Sequence, residues 1–281
     1  MQESSLSSQP QPEISILMSV YNGGIFLAPA LESMLGQTFS DFECIIIDDA
    51  STDSTSQVLA DFAARDLRVQ VIKNSPNLGL TASLNKGLAL SKGRYIARMD
   101  ADDIALPGRF MTQYWFMEEH PDVAACGSWI SVIDEQGKLL GEKNLALSYE
   151  EIKKKMMFNN QFIHSTLFFR ADILKENGGY NEFFKKSQDY ELMLRLSSKY
   201  PVVNLREKLV QFRLYKSSLS WMNSEQQKYA IKARWLAIRK YHFPFFQGLM
   251  QICLRFLWLG VPKKIKMLYN KKKTQDLLQQ V

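Results

Sequence analysis

Over the first hundred residues, short apolar runs alternate with stretches of helical spacing. Ile14-Ser15-Ile16-Leu17-Met18-Ser19-Val20 predicts a buried strand, and Tyr21-Asn22-Gly23-Gly24 a turn. From Phe26 to Leu35 the positions Leu27, Ala30, Leu31, Met34 and Leu35 recur at helical spacing. Glu43 to Ile47 predicts a second strand that stops at Asp48-Asp49, after which Ser51-Thr52-Asp53-Ser54 caps a helix reaching Ala64. Val69 to Ile72 is a third strand, Asn74 to Gly79 a loop and Thr81 to Leu90 a helix. Tyr95 to Met99 is a fourth strand. Strands alternating with helices of roughly ten residues predict an α/β fold with a mostly parallel sheet and helices on both faces.

Beyond Pro107 the pattern changes. A helix is predicted from Arg109 to His120, then strands over Val123 to Gly127 and Trp129 to Ile133, then a hairpin turn at Asp134 to Lys138. A lysine-rich helix runs from Glu150 to Phe158, and Ser165 to Arg170 reads as a strand. Helices follow over Asp172 to Asn177 and Asp189 to Lys199, then strands over Val202 to Leu205 and Leu209 to Tyr215.

Parallel sheets bind ligands beyond the carboxyl ends of their strands. Three such ends here carry polar or acidic residues: Ser19/Tyr21, Asp48/Asp49 and Asp100/Asp102. The densest is Asp100-Ala101-Asp102-Asp103. Carboxylates this close repel, and burying them unpaired is costly, so such a cluster suits a cation. Oxygen-only ligands favour Mg²⁺ or Mn²⁺ over zinc, and Mg²⁺ keeps positions for substrate phosphates. A solvated acidic turn is the alternative. Asp53 and Asn22 read well as ordinary caps and turns; Asp49 and Asp102 do not.

Composition narrows the choices. The chain has 281 residues, of which 46% are hydrophobic, enough for one large α/β domain. Its three cysteines, Cys44, Cys126 and Cys253, have neither disulfide nor zinc spacing, which suits a reducing, cytoplasmic setting. Residues 1–13, rich in Ser, Gln and Pro, read as a disordered tail rather than a secretory signal. The net charge of +6 is concentrated near the end, at Lys263, Lys264, Lys266, Lys271, Lys272 and Lys273. No nucleic-acid module accompanies them, so nucleic acid is not expected as a partner. There is no GxxxxGK[ST] phosphate loop and no GxGxxG.

Taken in order, Ser19, Tyr21 and Asn22, Gln37-Thr38-Phe39, Ile47 to Asp53 and Asn77-Leu78-Gly79 resemble glycosyltransferase family 2. So do Ala82 with Asn85, Asp100 to Asp103, His164, Gly178-Gly179-Tyr180 and Asp189-Tyr190-Glu191-Leu192 with Arg195. The resemblance runs from Ile14 to Tyr215. It implies a GT-A fold, a nucleotide-sugar donor, expected to be a UDP-sugar with GDP and dTDP open, and inversion at the anomeric carbon. It divides the domain into a nucleotide-sugar half, 14–103, and an acceptor half, 104–215. Residue by residue, it implies that Ser19, Tyr21, Asn77 and Asp100 contact the nucleotide and Asp49 the uracil edge. Asp102 would hold Mn²⁺ or Mg²⁺, and Asp189 would be the catalytic base. His164 and Arg213 are the expected acceptor or diphosphate contacts.

Two positions depart from the family pattern. Gln188 stands where a glutamate often precedes the base, and Leu214-Tyr215 follow Arg213 where many members carry a histidine. Asp189 would otherwise read as a helix cap. Trp129 and Trp221 read as core residues or as platforms for a sugar ring. A nucleotidyltransferase and a non-catalytic sugar-nucleotide-binding protein stay open as alternatives. The first lacks its expected basic glycine-rich loop at Tyr21 to Gly24.

Residues 216–281 are expected to be a helical, basic extension. Phe245 to Pro262 is apolar, with Gln247, Gln251 and Arg255 forming one narrow polar stripe. A span needs about 20 apolar residues. A helix lying in a membrane interface beside the lysines therefore fits better, each lysine contributing about 1 kcal/mol near anionic lipid. Packing on the catalytic domain or on a second copy is the alternative. A membrane setting would suit a glycan or lipid-linked acceptor.

Overall fold

The computed structural model describes residues 11–215 and 224–261. Most of the expected N-terminal tail, Trp221 and the lysines from Lys263 to Lys273 lie outside the described residues. The first half follows the apolar runs. β1 (Ile14–Val20), β2 (Phe42–Asp48), β3 (Val69–Lys73) and β4 (Tyr95–Arg98) alternate with α1 (Leu27–Leu35), α2 (Thr55–Arg65) and α3 (Leu80–Leu90). These strands pair in parallel in the order β3-β2-β1-β4.

β1 and β2 are buried throughout because helices cover both sheet faces. Ile16 and Met18 pack on one side with Leu31 and Met34 of α1. Leu17, pointing the other way, packs with Leu84 and Leu88 of α3. α3 approaches the sheet so closely that a Cβ at Gly87 would stand 2.3 Å from Leu17 Cδ1, which explains the glycine there.

The second half supplies β5 (Ile104–Ala105), α4 (Arg109–Glu119), β6 (Ala125–Ile133), β7 (Leu139–Lys143) and α5 (Tyr149–Met156). It continues through β8 (Phe168–Arg170), α6 (Ala171–Glu176), α7 (Gln188–Ser197) and β9 (Val202–Arg213). All join the same sheet or cover it, in the strand order β4-β8-β6-β9-β5 with β7 on β6. β8 runs antiparallel to β4 and β6, while β6 and β9 are parallel. The sheet is thus parallel across its first four strands and mixed beyond.

Some boundaries differ from the sequence reading. The two runs around Trp129 form one strand, β6, whose pairing with β9 shifts register at Trp129. The two runs on either side of Arg206-Glu207 are likewise one strand. Those two side chains are exposed, so they interrupt the apolar pattern without breaking the ladder. Residues 164–166 form a 3₁₀ turn where a strand is predicted, leaving only Phe168–Arg170 extended.

The extension is helical in its described part: α8 (Ser224–Lys240) and α9 (Phe245–Gly260). Among the described residues no helix is long and apolar enough to cross a membrane.

Candidate active site

The carboxyl ends of β1, β2 and β4 converge on one edge of the sheet. After β1, Asn22 takes a left-handed conformation (φ 53°), which Asn tolerates. Its Oδ1 accepts from Thr52 N at 2.8 Å, and its own N–H donates to Ser51 Oγ at 3.0 Å. Gly23 N–H donates to Thr55 Oγ1 at 2.8 Å. The turns after β1 and β2 are therefore stitched together, with Ser19 buried beneath them and Tyr21 exposed above. Asp53 Oδ1 accepts from Thr55 N at 3.0 Å, the capping use the sequence suggests.

Asp49 lies 2% exposed directly after β2. Its Oδ1 accepts from Leu78 N–H and Asn74 Nδ2, and its Oδ2 from Gly79 N–H, each at 2.8 Å. Gly79 sits at φ +85°, a conformation that glycine reaches without strain. Asn77 completes the loop by donating from Nδ2 to Asp49 O at 2.7 Å and accepting from Gly79 N at 3.1 Å. Asp49 and Asn77, both expected at the nucleotide, thus build the 74–79 loop into a fixed wall. Of about four acceptor positions on a carboxylate, three on Asp49 are taken.

The β4 end is built differently. Carboxylate oxygens of Asp100, Asp102 and Asp103 lie within 4.8 Å of one another. Asp103 is fully buried and committed to the fold. Its Oδ1 accepts from Arg213 N–H at 2.8 Å and its Oδ2 from the Ser165 hydroxyl. Asp102 Oδ2 accepts from Tyr215 OH at 2.7 Å. Burial and the neighbouring Asp100 charge raise the Asp102 carboxyl above its usual range. Crowded and oxygen-only, the cluster has a donor set that fits a divalent cation.

The nearest cation in the protein itself is Arg98, the last residue of β4. Its side chain is fully buried and its Nη2 forms an ion pair with Asp100. None of its three guanidinium nitrogens makes a well-formed hydrogen bond. Its charge acts on Asp100, Asp103 and Tyr180 as well as on His164 and Asp189. The charge of Arg98 is thus felt both in the aspartate cluster and by residues of the acceptor half.

On that side, Asp189 is the second residue of α7, following Ser187 in a left-handed conformation (φ 56°). Asp189 Oδ2 accepts from Asn160 Nδ2 at 2.9 Å. Burial raises its carboxyl above the ordinary 3.8, against the opposing pull of its own helix N–H groups and of Arg98. Gln188 beside it is buried. His164 Nε2 pairs with Tyr180 OH at 2.9 Å. Burial, aided by Arg98, holds His164 well below its ordinary 6.5, so it is neutral at pH 7 and offers a polar contact rather than a charge.

Arg213, one of the expected acceptor or diphosphate contacts, is held in place by the protein. Its Nε donates to Asp102 O at 2.9 Å, and its Nη1 to Asp134 O at 2.9 Å and Glu135 O at 3.1 Å. With its backbone on Asp103, it straps the aspartate turn to the β6–β7 hairpin and is 6% exposed. Trp129 Nε1 donates to Leu145 O at 2.9 Å, a structural bond.

The family model for "Glycosyl transferase family 2" matches residues 15–178. The chain belongs to glycosyl transferase family 2. It is 32% identical over 267 residues to the amylovoran biosynthesis glycosyltransferase AmsE of Erwinia amylovora, covering 92% of this chain and 98% of that protein. It is 33% identical over 210 residues to the O-antigen biosynthesis glycosyltransferase WbnJ of Escherichia coli, covering 73% and 81%. S. aureus TarS 1–349 in complex with UDP-GlcNAc aligns with a TM-score of 0.67 at 18% identity, over 87% of this chain and 71% of that one. The mannosyltransferase PcManGT from Pyrobaculum calidifontis, in complex with GDP-Man and Mn²⁺, aligns with a TM-score of 0.65 at 14% identity, over 95% and 81%. These likenesses establish the GT-A fold, and the family establishes a glycosyltransferase.

Within this family 2 enzyme, the sequence reading passes over Arg98 and Asn160. Arg98 does carry a signal: it is the one charged residue inside the apolar run Tyr95 to Met99, so the strand must bury a cation. Asn160 has none, because its contact to Asp189 spans 29 positions and arises only in the fold.

Proposed function

We propose that this glycosyltransferase moves a sugar from a UDP-sugar to a hydroxyl of a glycan or lipid-linked acceptor, with inversion, at the cytoplasmic face of a membrane that the C-terminal extension contacts. The observation supporting this reading is that Asp189 lies near enough to the aspartate cluster for the charges of Arg98 and Asp100, themselves an ion pair, to act on its carboxyl. Asp102 would hold Mn²⁺ or Mg²⁺, with Asp100 beside it toward the nucleotide, and the ion when bound neutralises charge developing on the leaving diphosphate. Ser19, Tyr21 and Asn77 border the nucleotide, and Asp49 has one acceptor position left for a nucleobase N–H.

Asp189 is the general base. It is partly exposed and held by Asn160, and its raised carboxyl is a stronger proton acceptor than an ordinary aspartate. The attacking hydroxyl loses its proton to Asp189 as its oxygen bonds the anomeric carbon, and the diphosphate departs from the opposite face. His164 and Tyr180 supply neutral polar contacts nearby. The polysaccharide-building relatives favour a growing glycan as acceptor.

Calorimetric titration of UDP, GDP and dTDP with and without Mn²⁺ tests the donor and metal together. UDP binding that requires Mn²⁺, and that is lost in Asp102→Ala, is the expected result. Equal UDP binding with and without metal would overturn the metal assignment, and preference for GDP or dTDP would overturn the donor.

A further inference from the structure

α9 is packed inside out. Its polar stripe turns toward the protein: Gln247 Nε2 donates to Lys154 O at 3.2 Å, and Arg255 donates to Gln227 Oε1 at 2.6 Å, Phe158 O at 2.9 Å and Asn159 Oδ1 at 2.9 Å. Gly248 lies so close to α8 that a Cβ there would come within 2.6 Å of Ile238. The opposite face presents Phe245, Phe246, Leu249, Met250, Leu254 and Leu257 to the outside, Phe246 being 84% exposed and Leu257 71%. A helix settling on a domain in water does the reverse. A contiguous exposed stripe of this kind marks an interaction surface.

We infer that this face of α9 lies in the interface of an anionic lipid bilayer. Charge decides between a bilayer and a second copy of the chain. From Phe256 to Gln275 the sequence has six lysines and no acidic residue. Lys153, Lys154 and Lys155 are exposed on α5, against which the start of α9 rests; Lys155 pairs with Glu151, and the three outnumber the helix's two glutamates. Two copies meeting through α9 would bring these like charges together, whereas anionic headgroups would neutralise them. The apolar face is also too short to span, in keeping with a helix that lies along the surface.

The surface is tied to the active site. Arg255 of α9 and Arg234 of α8 both donate to the carbonyl of Phe158, each at 2.9 Å, and Arg255 also holds Asn159. The next residue, Asn160, holds Asp189. The turn that positions the base is thus gripped by the helix that meets the bilayer, and an acceptor anchored in lipid arrives on that side. The membrane surface deepens the membrane contact proposed above, and this last step rests in addition on the glycosyl-transfer reading.

The test is flotation of the full chain with vesicles of phosphatidylcholine alone and with added phosphatidylglycerol, beside sedimentation velocity without lipid. Flotation with the anionic vesicles, weakened by salt, is expected. The double variant Phe246→Asp/Leu257→Asp should lower the bound fraction roughly tenfold or more, since two exposed apolar side chains no longer insert. Replacing the six lysines by glutamine should lower binding to anionic vesicles alone. UDP binding in the same variants reports that the fold and the donor site are intact, so failure of the enzyme reading is seen separately. Wild-type protein that stays unbound to anionic vesicles overturns the proposal. So does self-association lost in the Asp double variant, which would make a second copy the occupant.

Discussion

Two strand ends in this molecule carry aspartates and treat them in opposite ways. At the end of β2, Asp49 accepts three hydrogen bonds from the loop it organises, and the protein completes the environment itself. At the end of β4, Asp100, Asp102 and Asp103 crowd together around one buried arginine whose nitrogens lack well-formed hydrogen bonds. The first arrangement makes a wall. The second leaves a buried guanidinium poorly bonded beside partly exposed carboxylates that repel one another, which is costly unless a ligand completes them. The difference separates the parts of the site that shape the pocket from the parts that await substrate and cation.

The comparison is broken most severely at Asp189, which borders the second region. Asp189→Asn should lower kcat by roughly 10²- to 10⁴-fold, the usual scale for losing a general base, while UDP affinity stays unchanged. Stability should move the other way. The Asp189 carboxyl has a higher pKa folded than unfolded, so the native state binds its proton more tightly. Stability is therefore lost as pH rises from the ordinary carboxylate value through the raised one. At neutral pH the ionised carboxylate is a cost that asparagine removes. The variant should melt higher at pH 7, and the gap should close near pH 3. For the wild type, the acid limb of kcat should fall at a pH above 3.8, the ordinary aspartate value. A variant with near-normal kcat would remove Asp189 from the chemistry.

Arg98 sharpens the comparison next. Removing one partner of a fully buried ion pair costs roughly 3–5 kcal/mol; Asp100 is partly exposed, so Arg98→Gln, which leaves three carboxylates without their nearest positive charge, should cost less, about 1–3 kcal/mol. A loss of that order is expected without divalent cation, and a smaller one with Mn²⁺, which supplies the missing charge. Thermal melts of wild type and variant, each with and without Mn²⁺, measure the difference. An equal loss in both conditions would mean that Arg98 matters through packing alone.

The unequal legibility of the two regions has the same origin. β1 to β4 and their helices are visible in the sequence because both faces of the strands are covered, so the apolar runs are long and unbroken. β9 is harder to see, since Arg206 and Glu207 point to solvent in mid-strand and split its pattern. Aspartates at strand ends can be read as candidates by their position alone. Their partners cannot. That Arg213 is held by Asp102 and the hairpin, more than a hundred residues from the one and some eighty from the other, emerges only in the fold. The inverted packing of α9 is hidden for the same reason. Gln247, Gln251 and Arg255 mark a polar stripe in the sequence, but only the contacts with Lys154, Gln227 and Phe158 reveal that it faces inward.

The smallest effect belongs to the wall. Asp49→Asn keeps the shape of the side chain but replaces one acceptor oxygen by an NH₂ group. Whichever way the amide turns, that NH₂ meets an N–H donor, from Gly79 on one side or from Leu78 and Asn74 on the other. A buried donor left without an acceptor costs about 1–3 kcal/mol. Urea unfolding should register a loss in that range, without the Mn²⁺ dependence expected of Arg98→Gln. UDP binding should weaken alongside it, because the 74–79 loop loses its anchor. Weaker UDP binding with unchanged stability would mean that Asp49 serves the nucleobase without anchoring the loop, and the two strand ends would no longer differ in kind.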